Sequence, residues 1–125
     1  MTVLADFQTI IGDNPQQVNT GVKFQKLGDN FDTSGRRFSN SEIGGDAAFL
    51  IFSVLDVRFD TEVFVNREGP VGIINHTEPG HWSTQIIAMA GVRLKSGLNS
   101  IEVGDVRQGP FLIKDLICFY HQDSD

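Results

Sequence analysis

The chain has 125 residues, of which 40% are hydrophobic and ten are Phe, so it is long and apolar enough to bury a core. Domains commonly contain about 100–150 residues, and we therefore expect residues 1–125 to form one domain. The net charge of −6 argues against nucleic-acid partners, because an acidic surface repels phosphate backbones. The single cysteine excludes an intrachain disulfide. Its place in an apolar run predicts that Cys118 is a small buried side chain.

The start of the chain has neither a basic segment nor a long apolar stretch, so it does not predict a secretion signal. The longest apolar run, residues 47–52, is far shorter than the roughly 20 residues of a membrane-spanning helix. We expect no membrane span. Cytoplasmic residence is the simplest expectation, and a removed leader or export by another route stays open.

Short apolar runs separated by glycines, of which the chain has 13, are typical of a β-sandwich or barrel. An early strand is predicted at 21–27, before a long loop over 28–45. That loop contains Arg36 and Arg37, which we interpret as part of a solvated turn rather than an anion site. Residues 47–59 form the clearest predicted strand, because both alternating faces are apolar at its centre.

The middle of the chain predicts a hairpin. A strand at 61–66 leads into a turn over 66–70, where Gly69 and Pro70 favour a tight reversal. The chain then returns as a strand at 71–74, and residues 75–81 follow as a polar loop.

A turn over residues 94–99 dominates the last third of the chain. Gly97 can adopt the positive φ that a tight turn needs, and the Asn99 side chain can bond nearby backbone groups. No stretch has a convincing helical period, and a helical turn at 86–94 is the one place left open. The remaining strands are predicted at 82–90, 100–103 and 111–120, with an acidic tail from about residue 121.

Five segments of the second half of the chain follow the sequence pattern of a known family. They are Phe-Val-Asn at 64–66, Val-Gly at 71–72, Trp-Ser-Thr at 82–84, the turn and strand at 94–101, and the strand at 111–116. In this order they resemble the galactose-binding-domain-like jelly rolls, a superfamily that includes many carbohydrate-binding modules. The resemblance covers residues 47–120 and implies an all-β fold, an antiparallel β-sandwich of jelly-roll type. Arg67 departs from it, because the family usually has Gly there.

Trp82, the only tryptophan, lies between the polar loop and the next predicted strand. Aromatic side chains beside polar groups can stack on sugar rings, so an exposed Trp82 would suit a glycan. The resemblance implies instead that this residue is buried, and the core interpretation is the one we favour.

The candidate ligand site combines the loop before Trp82 with the hairpin. Its residues are Asn66, Arg67, His76, Glu78, His81 and Trp82. His76, Glu78 and His81 are of the types that bind zinc. Their spacing is not that of a helical metal motif, so we interpret them as a solvated polar loop.

Asp115 lies between Ile113 and Ile117 in the two-residue alternation of the last predicted strand. A carboxylate buried there would need a partner. The resemblance implies that Asp115 could bind a structural calcium ion, and a buried Asp115 bonded to backbone or Arg is the alternative. No other cofactor is expected.

No nucleophile motif accompanies the three histidines, so we predict that the protein is not an enzyme. The favoured function is a small binding module that takes a glycan through loops at one end of the sandwich. The rival is an assembly subunit that forms a homo-oligomer or packs on a partner protein. The rival requires an exposed apolar sheet face of several hundred Å², and the apolar residues on both faces of 111–120 favour it.

Overall fold

A computed structural model describes residues 3–33, 48–89, 94–95, 97–104, 106–107 and 109–123. Within these residues every regular element is a β-strand. The strands are β1 (Val3–Ile11), β2 (Gln16–Val18), β3 (Gln25–Lys26), β4 (Phe31–Asp32), β5 (Phe49–Leu55), β6 (Thr61–Val65), β7 (Glu68–Ile74), β8 (Ser83–Ala88), β9 (Leu98–Asn99), β10 (Ile101–Val103) and β11 (Phe111–Asp123).

The larger sheet has five strands in the order β1-β11-β5-β8, with β2 also paired to β11. All of these pairings are antiparallel. β11 organises the sheet because β1 and β2 bond successive parts of its length, while β5 bonds it from the other side. β11 and β5 are therefore central strands, and β1 and β8 lie at the two edges.

The smaller sheet has four strands in the order β3-β10-β6-β7, and β4 pairs with β9 separately. Val63 and Val65 of β6 pair in register with Val103 and Ile101 of β10. All four side chains are buried, so this pair of strands presents a continuous apolar inner face.

The buried apolar side chains form one cluster, to which both sheets contribute. On β5 the buried residues alternate as Leu50, Phe52 and Val54, which is the period of a strand with one face on a core. The prediction of an all-β antiparallel sandwich is confirmed. The jelly-roll connectivity and the single-domain assignment stay predictions.

A bulge at Asp115 interrupts the alternation of β11. Asp115 has φ 54°, and the register of β11 against β5 shifts between Lys114 and Ile117, as a β-bulge requires. Asp115 itself is exposed, so the alternative of a buried carboxylate bonded to backbone or Arg is wrong. The extra residue changes which positions face the core: Phe111 and Ile113 before it, and Leu116, Cys118 and Tyr120 after it.

The predicted hairpin forms, but with a different turn. Asn66 and Arg67 have φ 52° and 61°, and Val65 pairs with Glu68, which makes a two-residue turn of the kind that needs positive φ. Gly69 and Pro70 lie inside β7. The expectation that they form the turn is wrong, because Asn66 tolerates the left-handed conformation and starts the reversal earlier.

Other boundaries also differ from the expectations. β1 and β2 were not predicted, and the early strand at 21–27 is reduced to Gln25–Lys26. β8 continues to Ala88, so residues 86–88 are extended rather than helical. β11 continues to Asp123, past the start of the expected tail. Residues 34–45 of the expected loop, with Arg36 and Arg37, lie outside the described residues.

Candidate functional site

An apolar surface covers the outer side of the larger sheet, away from the core. The pairing register aligns its side chains in two rows that cross β1, β11, β5 and β8. The first row is Phe7, Phe119, Phe49 and Ala88, and the second is Thr9, Ile117, Ile51 and Ile86. We call these eight residues the aromatic face.

The aromatic face is open to solvent at both edges of the sheet. Phe7 is 57% exposed and Ile86 is 66% exposed, while Phe49, Phe119 and the residues between the edges in the second row are partly buried. The Phe119 ring stacks on Phe49 with centroids 4.9 Å apart and meets Phe7 at 5.8 Å. Phe119 therefore contacts both other phenyl rings, and the three rings form an apolar ridge on the surface.

Two features of the sequence create this face. β5 is apolar on both sides, so its outward residues Phe49 and Ile51 remain hydrophobic while Leu50 and Phe52 fill the core. On β11 the bulge turns Ile117 and Phe119 outward. Without the bulge these two side chains would continue the inward series of Ile113, because strand residues alternate with a period of two.

A polar row borders the aromatic face. Lys114, Ser53 and Thr84 are aligned across β11, β5 and β8, and the two hydroxyl oxygens lie 3.1 Å apart. The Lys114 Nζ atom lies 4.2 Å from the centroid of the Trp82 ring. Trp82 is 39% exposed, so the expectation that it is buried is wrong. It precedes an edge strand, and the Lys114 ammonium contacts its ring.

The loop at 75–82 is fastened to the segment that follows β5. The Gly80 N–H donates to Asp56 Oδ1 at 2.9 Å. Asp60 Oδ1 accepts the His76 backbone N–H at 2.9 Å and contacts His76 Nδ1 at 2.8 Å. These bonds lower the pKa of Asp60, the side-chain bond contributing most and the backbone bond next. His76 is thus placed at the surface with a carboxylate partner.

Glu78 and His81 are exposed on the same loop, and the His81 N–H donates to the Glu78 carbonyl at 3.3 Å. Across the described part of the chain, no group of three or more His, Cys, Asp or Glu side chains is arranged to hold a metal ion. Calcium binding by Asp115 stays a prediction.

A shallow cavity of about 250 Å³ lies beside this loop. Its lining is mixed, with a carboxylate, a guanidinium, a hydroxyl and two prolines: Asp56, Val57, Arg58, Thr77, Pro79 and Pro110. Sequence reasoning missed it because the segment after β5, the 75–82 loop and the residue before β11 contribute separate parts of the lining.

Asn66 and Arg67 lie at the other end of the sandwich from His76. β6 begins directly after Asp60 and ends directly before Asn66. Its five residues span about 16 Å at 3.3 Å per residue. The structure therefore does not bring the hairpin and the 75–82 loop together, and ligand binding by these residues stays a prediction. The Asn66 amide donates to Asn99 Oδ1 at 3.0 Å, and the Arg67 N–H donates to Glu102 Oε1 at 2.8 Å, so their described contacts hold the turn.

The turn expected at 94–99 is confirmed at its described residues. Gly97 has φ 104°. Asn99 is buried, and its Oδ1 accepts the Lys95 N–H at 2.9 Å while its amide donates to the Lys95 carbonyl at 2.9 Å. Burial of Cys118 is also confirmed, and desolvation raises the pKa of its thiol to about 12.

No protein-family model matches the chain, and no curated protein is significantly similar to it. The resemblance to the galactose-binding-domain-like jelly rolls therefore stays a prediction. In the described residues, no helix is long and apolar enough to cross a membrane.

Proposed function

We propose that this protein is a non-catalytic assembly subunit that associates with another protein domain through the aromatic face. The observation that carries the proposal is the outward exposure of two apolar rows on the larger sheet. Phe and Ile side chains gain free energy when they leave water, and the core of the sandwich is already filled by other residues. Association with a partner would remove the exposed parts of these rows from water.

The size of the aromatic face suits a protein interface. A fully exposed aromatic side chain offers about 150–250 Å², so Phe7 at 57% exposure alone leaves about 100 Å² in water. The whole face leaves several hundred Å², which is the range of functional patches on monomers. A standard interface takes roughly 800 Å² from each partner, so the polar row and Trp82 would have to be included.

The charge distribution also favours association. None of the eight residues of the aromatic face is charged, although the chain as a whole carries −6. A partner could therefore cover the face without burying an unpaired carboxylate, which would cost several kcal/mol.

A matched pair of substitutions tests this proposal. Ile86→Lys places a charge in the aromatic face, and Ile73→Lys places the same charge on β7 of the smaller sheet, where Ile73 is 46% exposed. Both residues are exposed, so neither change should unfold the protein. Size-exclusion chromatography with light scattering would report the mass of each variant over a range of concentrations.

We expect the unaltered chain and Ile73→Lys to associate with increasing concentration, and Ile86→Lys to remain monomeric. If Ile73→Lys abolishes association and Ile86→Lys does not, the docking surface is elsewhere. If the unaltered chain never associates, the proposal that it assembles on its own is wrong.

Glycan binding is the second candidate. The exposure of Trp82, at the end of the 75–82 loop that contributes Thr77 and Pro79 to the cavity, favours it. The Asp56 and Arg58 side chains and the Thr77 hydroxyl could bond sugar hydroxyls, while the indole could stack on a sugar ring. Lys114 already contacts the Trp82 ring, so a sugar would have to share the indole with it or displace the ammonium.

A glycan array, followed by titration of Trp82 fluorescence with any hit, tests this candidate. We expect binding to shift the emission and to be lost in Trp82→Ala, while Asn66→Ala at the other end of the sandwich leaves it unchanged. An array without hits, or a hit that Trp82→Ala binds normally, would remove the candidate.

A further inference from the structure

In the two rows of the aromatic face, the large and the small edge residues lie on opposite edge strands. In the first row the edge strand β1 carries the large Phe7, and the edge strand β8 carries the small Ala88. In the second row the order is reversed, with the small Thr9 on β1 and the large Ile86 on β8. The two prominent side chains are therefore at diagonal corners, and the two recessed ones at the other corners.

A surface with this pattern is complementary to a copy of itself. When two such faces meet, each prominent corner of one copy can enter a recessed corner of the other, and packing at interface cores reaches the density of protein interiors. In a symmetric dimer each such contact occurs twice, so each favourable contact contributes twice to the stability of the dimer.

Two symmetry axes within the interface satisfy this fit, and the central residues distinguish them. An axis parallel to the strands, between β11 and β5, sets each row against the same row of the second copy. Phe119 then lies against Phe49 of the second copy, and Lys114 against its Ser53. An axis perpendicular to the strands sets the phenyl row against the isoleucine row and separates the two polar rows.

We propose that the partner is a second copy of this chain, packed face to face about a two-fold axis parallel to the strands. In this dimer Phe7 contacts Ala88 of the second copy, and Ile86 contacts its Thr9. Aromatic rings meet aromatic rings, which prefer offset or edge contacts with one another, and the ammonium of Lys114 meets a hydroxyl at the border. The inference rests on the proposed function, since it names the occupant of the aromatic face.

Exchanging the two residues of one contact tests the arrangement. Phe7→Ala leaves a gap opposite Ala88, and Ala88→Phe sets two phenyl rings against each other, so each single variant should weaken the dimer by about tenfold in Kd or more. The double variant restores one large and one small residue at every such contact. Its Kd, measured by sedimentation velocity, should return to within a few-fold of the original. All these side chains are exposed, and circular dichroism confirms that each variant is folded.

The perpendicular axis predicts a different result. Phe7 would then face Thr9, and Ala88 would face Ile86, so the double variant would combine both defects and associate more weakly than either single variant. A second measurement uses cysteine variants, since the native Cys118 is buried. A short bis-maleimide should join Phe7→Cys to Ala88→Cys chains in a mixture, and should not join Phe7→Cys to Thr9→Cys chains.

Failure of the inference and failure of the proposed function can be separated. If Ile86→Lys abolishes association but the double variant is not restored, the two-fold arrangement is overturned while the face remains the docking surface. The same conclusion follows if the bis-maleimide joins Phe7→Cys chains to Thr9→Cys chains instead of to Ala88→Cys chains. If the unaltered chain stays monomeric, the second copy is not the partner, and the inference fails while association with a different protein domain is not refuted.

Discussion

Phe49 and Phe119 stack with their ring planes 11° apart and their centroids at 4.9 Å, on the solvent side of the two central strands of the larger sheet. Each ring shields part of the other from water, so this pair also stabilises the monomer. The residues at the edges, Phe7 and Ile86, gain much less from the fold because they remain mostly exposed. The central pair of the aromatic face therefore contributes to the stability of the monomer, whereas the exposed corner residues are the ones that we expect to contact a partner.

The contact between Lys114 and Trp82 makes a spectroscopic prediction. Lys114→Met removes the ammonium that lies over the indole and costs about 0.5–1 kcal/mol of stability, as exposed cation–π pairs do. Acrylamide quenching of Trp82 fluorescence should increase, because the ring face becomes more accessible. Lys95→Met, at an exposed lysine elsewhere, is the control and should leave quenching unchanged. Equal quenching in Lys114→Met and the unaltered chain would show that the contact does not persist in solution.

Gly72 tests the packing between β7 and β8. A Cβ atom at this position would lie 2.3 Å from Ile87 Cγ2, so Gly72→Ala must displace a buried side chain. We expect a loss of about 1–3 kcal/mol in the free energy of unfolding, the usual cost of overpacking. Gly12→Ala is the control, because its Cβ would meet nothing within 4 Å. Urea denaturation of both variants measures the difference, and equal midpoints would contradict the described contact.

Asn99 tests the polar network at the hairpin end. Asn99→Ala leaves the Lys95 N–H and the Asn66 side-chain amide without their acceptor, in a partly buried setting. It also removes the hydrogen bond that the Asn99 amide donates to the Thr33 hydroxyl. We expect the free energy of unfolding to fall by about 2–4 kcal/mol, since each unsatisfied buried group costs about 1–3 kcal/mol. Asn30→Ala, at an exposed asparagine, should change it little. Thermal denaturation of the two variants side by side would detect the difference, and a shared melting temperature would count against the network.

Cys118 makes a prediction about alkaline pH. Its pKa is raised from 9.0 to about 12 by burial, so the folded thiol keeps its proton where the unfolded thiol loses it. The unfolded state binds fewer protons between these values, and stability therefore falls as pH rises from about 9 to 12. In Cys118→Ala this contribution disappears, so its melting temperature should decline less steeply over that range. If the melting temperatures of the two proteins fall equally with pH, or if Ellman's reagent labels the native thiol fast, the thiol is not buried.

The sequence predicted the strands best where alternation and turn chemistry agreed. β5 and β6 were found because their apolar residues are dense, and the Gly97 turn because positive φ favours glycine. β1 was missed, since Phe7 and Thr9 belong to a face whose apolar character depends on β11 and β5 beside it. β1 and β11 pair although more than 100 positions of the sequence separate them. A local sequence pattern does not show such a distant pairing.

The candidate site was harder to predict than the fold. The aromatic face depends on the bulge at Asp115. An aspartate within a strand pattern does not by itself predict a left-handed backbone conformation. Asn66 and His76 are close in sequence, and only the strand length between them shows that they lie at opposite ends. Trp82 was assigned to the core on family resemblance, whereas its place before an edge strand leaves it open to Lys114.

Sedimentation equilibrium of the unaltered chain, from low micromolar to near-millimolar concentration, measures its self-association without any substitution. We expect the weight-average mass to rise from the monomer value of 13.8 kDa toward twice that value and then to level off. A plateau at the dimer is expected because a face covered by its two-fold copy leaves no second equivalent surface. A mass that stays at 13.8 kDa at every concentration would contradict self-assembly through the aromatic face.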